Sequence, residues 1–222
     1  MKVFLILLLV AAFSGNVVAD MPIETTLPNN LAKEIAMDLK DRTIYPIIKA
    51  GDWPGIQYGA VYSVLIGPED DPEVVIGFGY DTPGNFVFLT HQDGQEIDLN
   101  VVVPQAFQNI DALDVTFVPS AVLNNQVLTA SGESFSSEAI LSQTQMLKAH
   151  EMLDAEQLLV SIARRTGLMV VSRDASHDLL DKFIYLHSEA WNDDSYGNAP
   201  IANRLFLIEN GEIVGSMSLA DE

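Results

Sequence analysis

The chain has 222 residues with 31 acidic against 11 basic side chains, a formal charge of -20, and no cysteine. So acidic a surface repels phosphate backbones and anionic headgroups, which argues against nucleic-acid and peripheral-membrane roles. The lack of cysteine excludes thiol catalysis, disulfide exchange and zinc-thiolate sites, while 48% hydrophobic residues supply ample material for a core.

The first nineteen residues read Met1-Lys2, the apolar run VFLILLLVAAF, a Ser14-Gly15-Asn16 break, and Val17-Val18-Ala19 before Asp20. One positive charge, an apolar core too short to span a bilayer and small residues at the end predict a secretory signal peptide cleaved after Ala19. No cysteine follows the apolar core, which excludes lipoprotein anchoring. Removing residues 1–19 leaves 10 basic against 31 acidic side chains, a formal charge of -21. The expectation is an exported protein, periplasmic or extracellular, with no membrane insertion after cleavage. Absence of disulfides makes a bacterial source the natural one.

After the polar leader, residues 31–49 carry apolar positions at Leu31, Ile35, Leu39, Ile44, Ile47 and Ile48, which predicts one helix capped near Asn30 and interrupted before Pro46. GDWPGIQYG is a turn-rich link. AVYSVLIG, EVVIGFGY and NFVFLT read as strands divided by the turns GPEDDP and DTPG. EIDLNVVV reads as a fourth strand and LDVTFVP as a fifth, an antiparallel meander. SSEAILSQTQMLKAHEML then predicts a helix of about four turns, AEQLLVSIARRTG a second helix, LMVVS a buried strand and SHDLLDKFIYLHSEAW a third helix. RLFLIENGEIVGSMSLA closes the chain as two strands around Asn210-Gly211, a strong hairpin signal. The predicted class is α+β: residues 20–128 form a helix plus antiparallel sheet, and residues 129–222 an α/β portion in the order α-α-β-α-β-β.

The strand ending in Val170-Val171-Ser172, the helix after it, the linker with Pro200 and the closing LFLIENGEIVG resemble the last half of a thioredoxin-like fold. LLVSIARRTGLMVVS is similar to the early helix-to-strand step of exported thioredoxin-like proteins. The resemblance covers roughly a third of the chain. It implies a thioredoxin-like layout of that part without redox chemistry, because Cys-x-x-Cys is missing and Ile201 follows Pro200.

His150, Glu151 and Asp154 stand in the order His-Glu-x-x-Asp, one residue from the helical zinc-protease signature, and are the candidate transition-metal ligands. The competing interpretation makes Asp154 an N-cap with Gln157 at the third helical position, and His150 a complement to the preceding helix's dipole. WNDDSYGNAP places Asn192, Asp193 and Asp194 in an acidic loop able to hold calcium, although Tyr196 and Asn203 fall where an EF-hand needs other ligands. Its alternative is a polar connector. Glu69, Asp70, Asp71 and Glu73 read as solvated turn charge. Ser176, His177 and Asp178 are adjacent and cannot form a triad among themselves, so Ser176 or Asp174 reads as a helix cap. His91 and His187 read as surface or partly buried histidines. No nucleotide-binding glycine motif occurs.

These readings converge on a non-enzymatic exported binding or accessory protein that acts through protein contacts, with a basic protein as the partner its charge suits and no obligatory cofactor. A metal-dependent hydrolase built on His150, Glu151 and Asp154 is the alternative. A calcium-stabilised interaction protein using Asn192, Asp193 and Asp194 is the second.

Overall fold

The computed structural model describes residues 43–82, 85–91, 98–131, 134–193, 195, 197 and 199–219. The predicted signal peptide and leader lie outside the described residues, as does Asp194.

Two antiparallel sheets make up the α+β fold. In the first, β1 (Ile44–Ala50) lies along one side of β3 (Val74–Thr82), while β2 (Tyr62–Ile66) and β4 (Asn85–Phe88) share the other side. The helix α1 (Leu99–Asp111) packs on β1. The second sheet has the order β10-β9-β7-β8-β6-β5, formed by β5 (Val118–Pro119), β6 (Val127–Ser131), β7 (Gln157–Ser161), β8 (Gly167–Ser172), β9 (Arg204–Glu209) and β10 (Glu212–Ser218). Two further helices accompany it, α2 (Gln143–Leu153) and α3 (His177–Asn192).

Side-chain alternation along the second sheet separates its two faces. Leu128, Val160, Val170, Phe206 and Ile208 point one way and pack with Met146 of α2 and with Ile48 and Val74 of the first sheet. Val127, Val171 and Leu205 point the other way, onto Leu179 and Phe183 of α3. The second sheet is therefore a central layer, and the first sheet shares its core. Each fully buried side chain of the size of Phe183 or Phe206 contributes about 1.5–3 kcal/mol through removal from water.

Several elements differ from the sequence expectation, each for a physical reason. Ile44–Ala50 is an edge strand instead of the end of a helix. Pro46 is tolerated there because its missing N–H falls on the outer edge. On that same edge the Asn109 side-chain amide donates to the Ile44 carbonyl at 2.8 Å, and Ile48 N–H donates to Glu138 Oε1 at 3.1 Å. The segment expected as the fourth strand contributes instead the start of α1, whose N-cap Asp98 accepts from Asn100 N–H at 3.0 Å. Val102, Val103, Ala106, Phe107 and Ile110 then line one helical face.

The expected four-turn helix breaks at Ser142. Ser137–Leu141 is a 3-10 turn, and Ser142 then caps α2, its hydroxyl accepting from Gln145 N–H. AEQLLVSIARRTG is not a helix: Gln157–Ser161 pairs with β8 on one side and β9 on the other, and residues 162–166 form the β7–β8 turn. Burial between two strands outweighs the helix preference of Leu158 and Leu159. Only Val118–Pro119 of LDVTFVP pairs as a strand. Because β5 and β6 join the second sheet, the boundary expected at 128/129 falls inside β6.

The helix α3 and the closing hairpin form where the pattern placed them. Ser176 caps α3 by accepting from Leu179 N–H, and Asn210 and Gly211 take φ of 52° and 78°, the left-handed pair that a tight two-residue hairpin needs.

Candidate functional site

At the end of β7 and β8 the second sheet opens into a groove of about 480 Å³. Ala130, Ala163, Leu168, Met169 and Ala190 give it apolar walls, and Ser131, Ser161, Arg164, Arg165 and Thr166 supply polar atoms. Apolar walls with a few placed polar groups are the usual make-up of a binding site. A smaller cleft of about 280 Å³ lies elsewhere, beside Asn125, Met152 and Asp174.

Three local devices hold the groove. Arg164, although 7% exposed, spends its guanidinium on the end of α3: Nε donates to the Ala190 carbonyl and an Nη to that of Trp191, both at 2.7 Å. These carbonyls are the negative end of the helix, so a buried cation is compensated there. Beneath the groove, the Ser161 hydroxyl and His187 Nδ1 lie 2.8 Å apart, both buried. Burial pushes the His187 imidazole down to about 4, with the Asn203 side chain opposing, so it is neutral at pH 7. At the turn, Thr166 holds φ of 66°, a conformation that costs a β-branched residue free energy. Its N–H donates to Ser137 Oγ at 3.2 Å.

Ser137 leads into a charged junction between the sheets. Its hydroxyl donates to Glu138 Oε2 at 2.8 Å while Ile48 N–H holds Oε1, so both oxygens of a fully buried carboxylate are engaged. Burial pushes the Glu138 carboxyl above its ordinary range, and the Ser137 hydroxyl, the Arg165 guanidinium and the Ile48 amide pull it back. Lys49, the next residue along β1, has its amine 5.8 Å from the ring centre of Trp53 and 5.5 Å from that of Phe88. Burial first, then Arg165, brings the Lys49 amine down to about 8, with Glu138 opposing.

The residues singled out in the sequence are not brought together here. His150 lies at the end of α2, where its Nδ1–H donates to the Ala155 carbonyl at 2.7 Å and its Nε2 accepts from Gly211 N–H at 3.3 Å. Both ring nitrogens anchor backbone, and the Gln143 amide adds a bond to the Asn210 carbonyl at 3.1 Å. Glu151 is exposed on α2. Asp154 is the left-handed C-cap of α2 with φ of 48°, and not the N-cap of a following helix. Asn192 ends α3, and Asp193 Oδ1 accepts from Ser195 N–H at 2.9 Å. The Ser195 hydroxyl and amide hold the Asp193 carboxyl below its ordinary value. Among the described residues no three His, Asp or Glu side chains converge as a metal site would require. His187, expected as a surface or partly buried histidine, is fully buried.

Ser161, Glu138, Lys49 and Arg165 escape the sequence pattern. The one available signal was a pair of arginines before Thr166-Gly167, in a chain with few cations. Comparison with protein-family models, with curated proteins and with solved structures finds no match for this chain. Among the described residues no helix is long and apolar enough to cross a membrane.

Proposed function

We propose that this chain is a non-enzymatic exported binding or accessory protein that holds a segment of a partner protein in the groove at the end of β7 and β8. The observation carrying this reading is the groove itself, about 480 Å³ with apolar walls and an arginine-bearing turn. A space of that size accommodates two or three side chains of an extended segment. Export rests on the amino-terminal pattern of charge, apolar core and small residues.

Selection of peptides from a random library on the mature chain tests the proposal. Selected peptides should bind the wild type and lose at least tenfold in affinity on Ala190→Phe, which fills the groove from α3 without removing a hydrogen-bonding side chain. Peptides that bind Ala190→Phe as well as the wild type would contradict it.

A further inference from the structure

Asn210-Gly211 is the only Asn-Gly pair in the chain, and it carries a chemistry besides turning it. Glycine has no side chain to keep its nitrogen away from the side-chain amide of a preceding asparagine. Asn210 is exposed and its own side chain makes no hydrogen bond among the described residues, so the electrophilic Cγ is open. The peptide joining the two residues, by contrast, is held at both ends by α2. Its carbonyl accepts from the Gln143 side-chain amide at 3.1 Å, and its N–H donates to His150 Nε2 at 3.3 Å. His150 is fixed in turn, since its Nδ1–H donates to the Ala155 carbonyl at 2.7 Å and leaves Nε2 to accept. The packing is close as well: a Cβ on Gly211 would stand 2.8 Å from the Gln143 carbonyl oxygen and 3.0 Å from Leu147 Cγ.

We propose that Asn210 is a site of self-modification by deamidation, and that His150 and Gln143 hold it unreacted in the folded chain. In the reaction the Gly211 nitrogen gives up its proton and attacks Asn210 Cγ. The new C–N bond closes a five-membered succinimide, and the bond from Cγ to the side-chain nitrogen breaks, so that nitrogen leaves with the proton as ammonia. Water then opens the ring at one of its two carbonyls, giving aspartate or isoaspartate. No oxidant or cofactor takes part. Ring closure requires the Gly211 nitrogen on the same side as the Asn210 Cβ. With φ of 52° Asn210 lies in the left-handed region, where ψ of roughly +30 to +60° points that nitrogen away. The rotation that brings it round breaks both bonds to α2, so the reaction waits on local opening of the turn. Its product would place a new carboxylate between Glu209 and Glu212, and isoaspartate would add a backbone carbon to a two-residue turn, shifting the register of β9 on β10. The inference owes nothing to the groove.

The test is incubation of the full mature chain at pH 7 and 37 °C, followed by mass spectrometry of the tryptic piece 205–222, with a synthetic peptide of residues 205–214 as the reference. The folded chain should deamidate at Asn210 roughly tenfold or more slowly than the peptide. His150→Ala and Gln143→Ala should each speed the folded chain about two- to tenfold, the effect of one lost hydrogen bond. Leu179→Ala, which destabilises the molecule from α3 without touching the turn, should leave the rate within about twofold of the wild type. A wild type as fast as the peptide overturns the proposal, as do folded variants at the wild-type rate. So does Leu179→Ala matching His150→Ala, which would mean that the reaction proceeds through general unfolding. Should His150→Ala fail to fold, Gln143→Ala, at an exposed position, decides alone: a faster reaction supports the proposal and an unchanged one overturns it.

Discussion

The two buried junctions beside the groove are built on opposite principles. Glu138 joins the sheets as a carboxylate ringed by donors, with an arginine and a lysine in attendance. His187 joins α3 to the central sheet as a neutral ring whose Nδ1 meets the Ser161 hydroxyl. Glu138 has both oxygens engaged, whereas His187 Nε2 has no hydrogen-bond partner, and a buried polar atom without one costs free energy. The charged solution sets Glu138 among groups whose charges act on it; the neutral solution leaves nothing to titrate at pH 7.

Removing the carboxylate should have the largest effect. Glu138→Ala leaves the Ile48 N–H and the Ser137 hydroxyl without their buried acceptor and removes a charge that Arg165 and Lys49 attract, and should cost about 3–5 kcal/mol in chemical denaturation. Glu138→Gln keeps an acceptor for Ile48 and should cost clearly less. Equal losses would mean that the charge of Glu138 does nothing. His187→Ala, on the neutral side, should cost about 2–4 kcal/mol from the cavity and the stranded Ser161 hydroxyl.

The junctions should also respond to pH with opposite sign. His187 has a folded value of about 4 against 6.5 unfolded, so the unfolded chain binds more protons between those values. Its contribution is complete above pH 6.5 and is lost as pH falls towards 4, at up to about 1.4 kcal/mol per pH unit. Glu138 is raised above its unfolded value, so the folded chain holds the extra proton and this group's contribution declines as pH rises above about 4.5. Between pH 4.5 and 6.5, His187→Gln should flatten the stability profile and Glu138→Gln should steepen its rise. Profiles that change in the same direction would break the comparison.

The smallest effect is at the turn. Thr166→Gly relieves a left-handed φ and should stabilise by up to about 1 kcal/mol if only backbone strain matters. A loss of peptide affinity in that same stabilised variant would show that the strain serves the groove.

The legibility of the sequence divides along similar lines. α3 was readable because Ser176 and a 3.6-residue apolar period agree, and the last hairpin because Asn210-Gly211 supplies two left-handed positions. β1 was not, since Pro46 and its isoleucines fit a helix as well as an edge strand capped by Asn109 and Glu138. α1 was misread because Val101, Val102 and Val103 carry strand preference, overridden by the Asp98 cap and packing on β1. Asp154 combined N-cap chemistry with tolerance of the left-handed C-cap, and only the paired strand after it decides between them. The candidate site was nearly invisible. Ile48 and Glu138 are 90 residues apart, and Ser161 and His187 are 26 apart on different elements, so no local pattern joins them. His150 drew attention through its spacing, yet its ring ties the hairpin to α2.

The most direct test of the groove is amide chemical-shift mapping of the mature chain titrated with a selected peptide. The account predicts the largest changes at Thr129, Ala130 and Ser131, along the Ser161-to-Met169 turn and at Ala190. Largest changes along the outer edge of β10, with the β7–β8 turn unmoved, would contradict it.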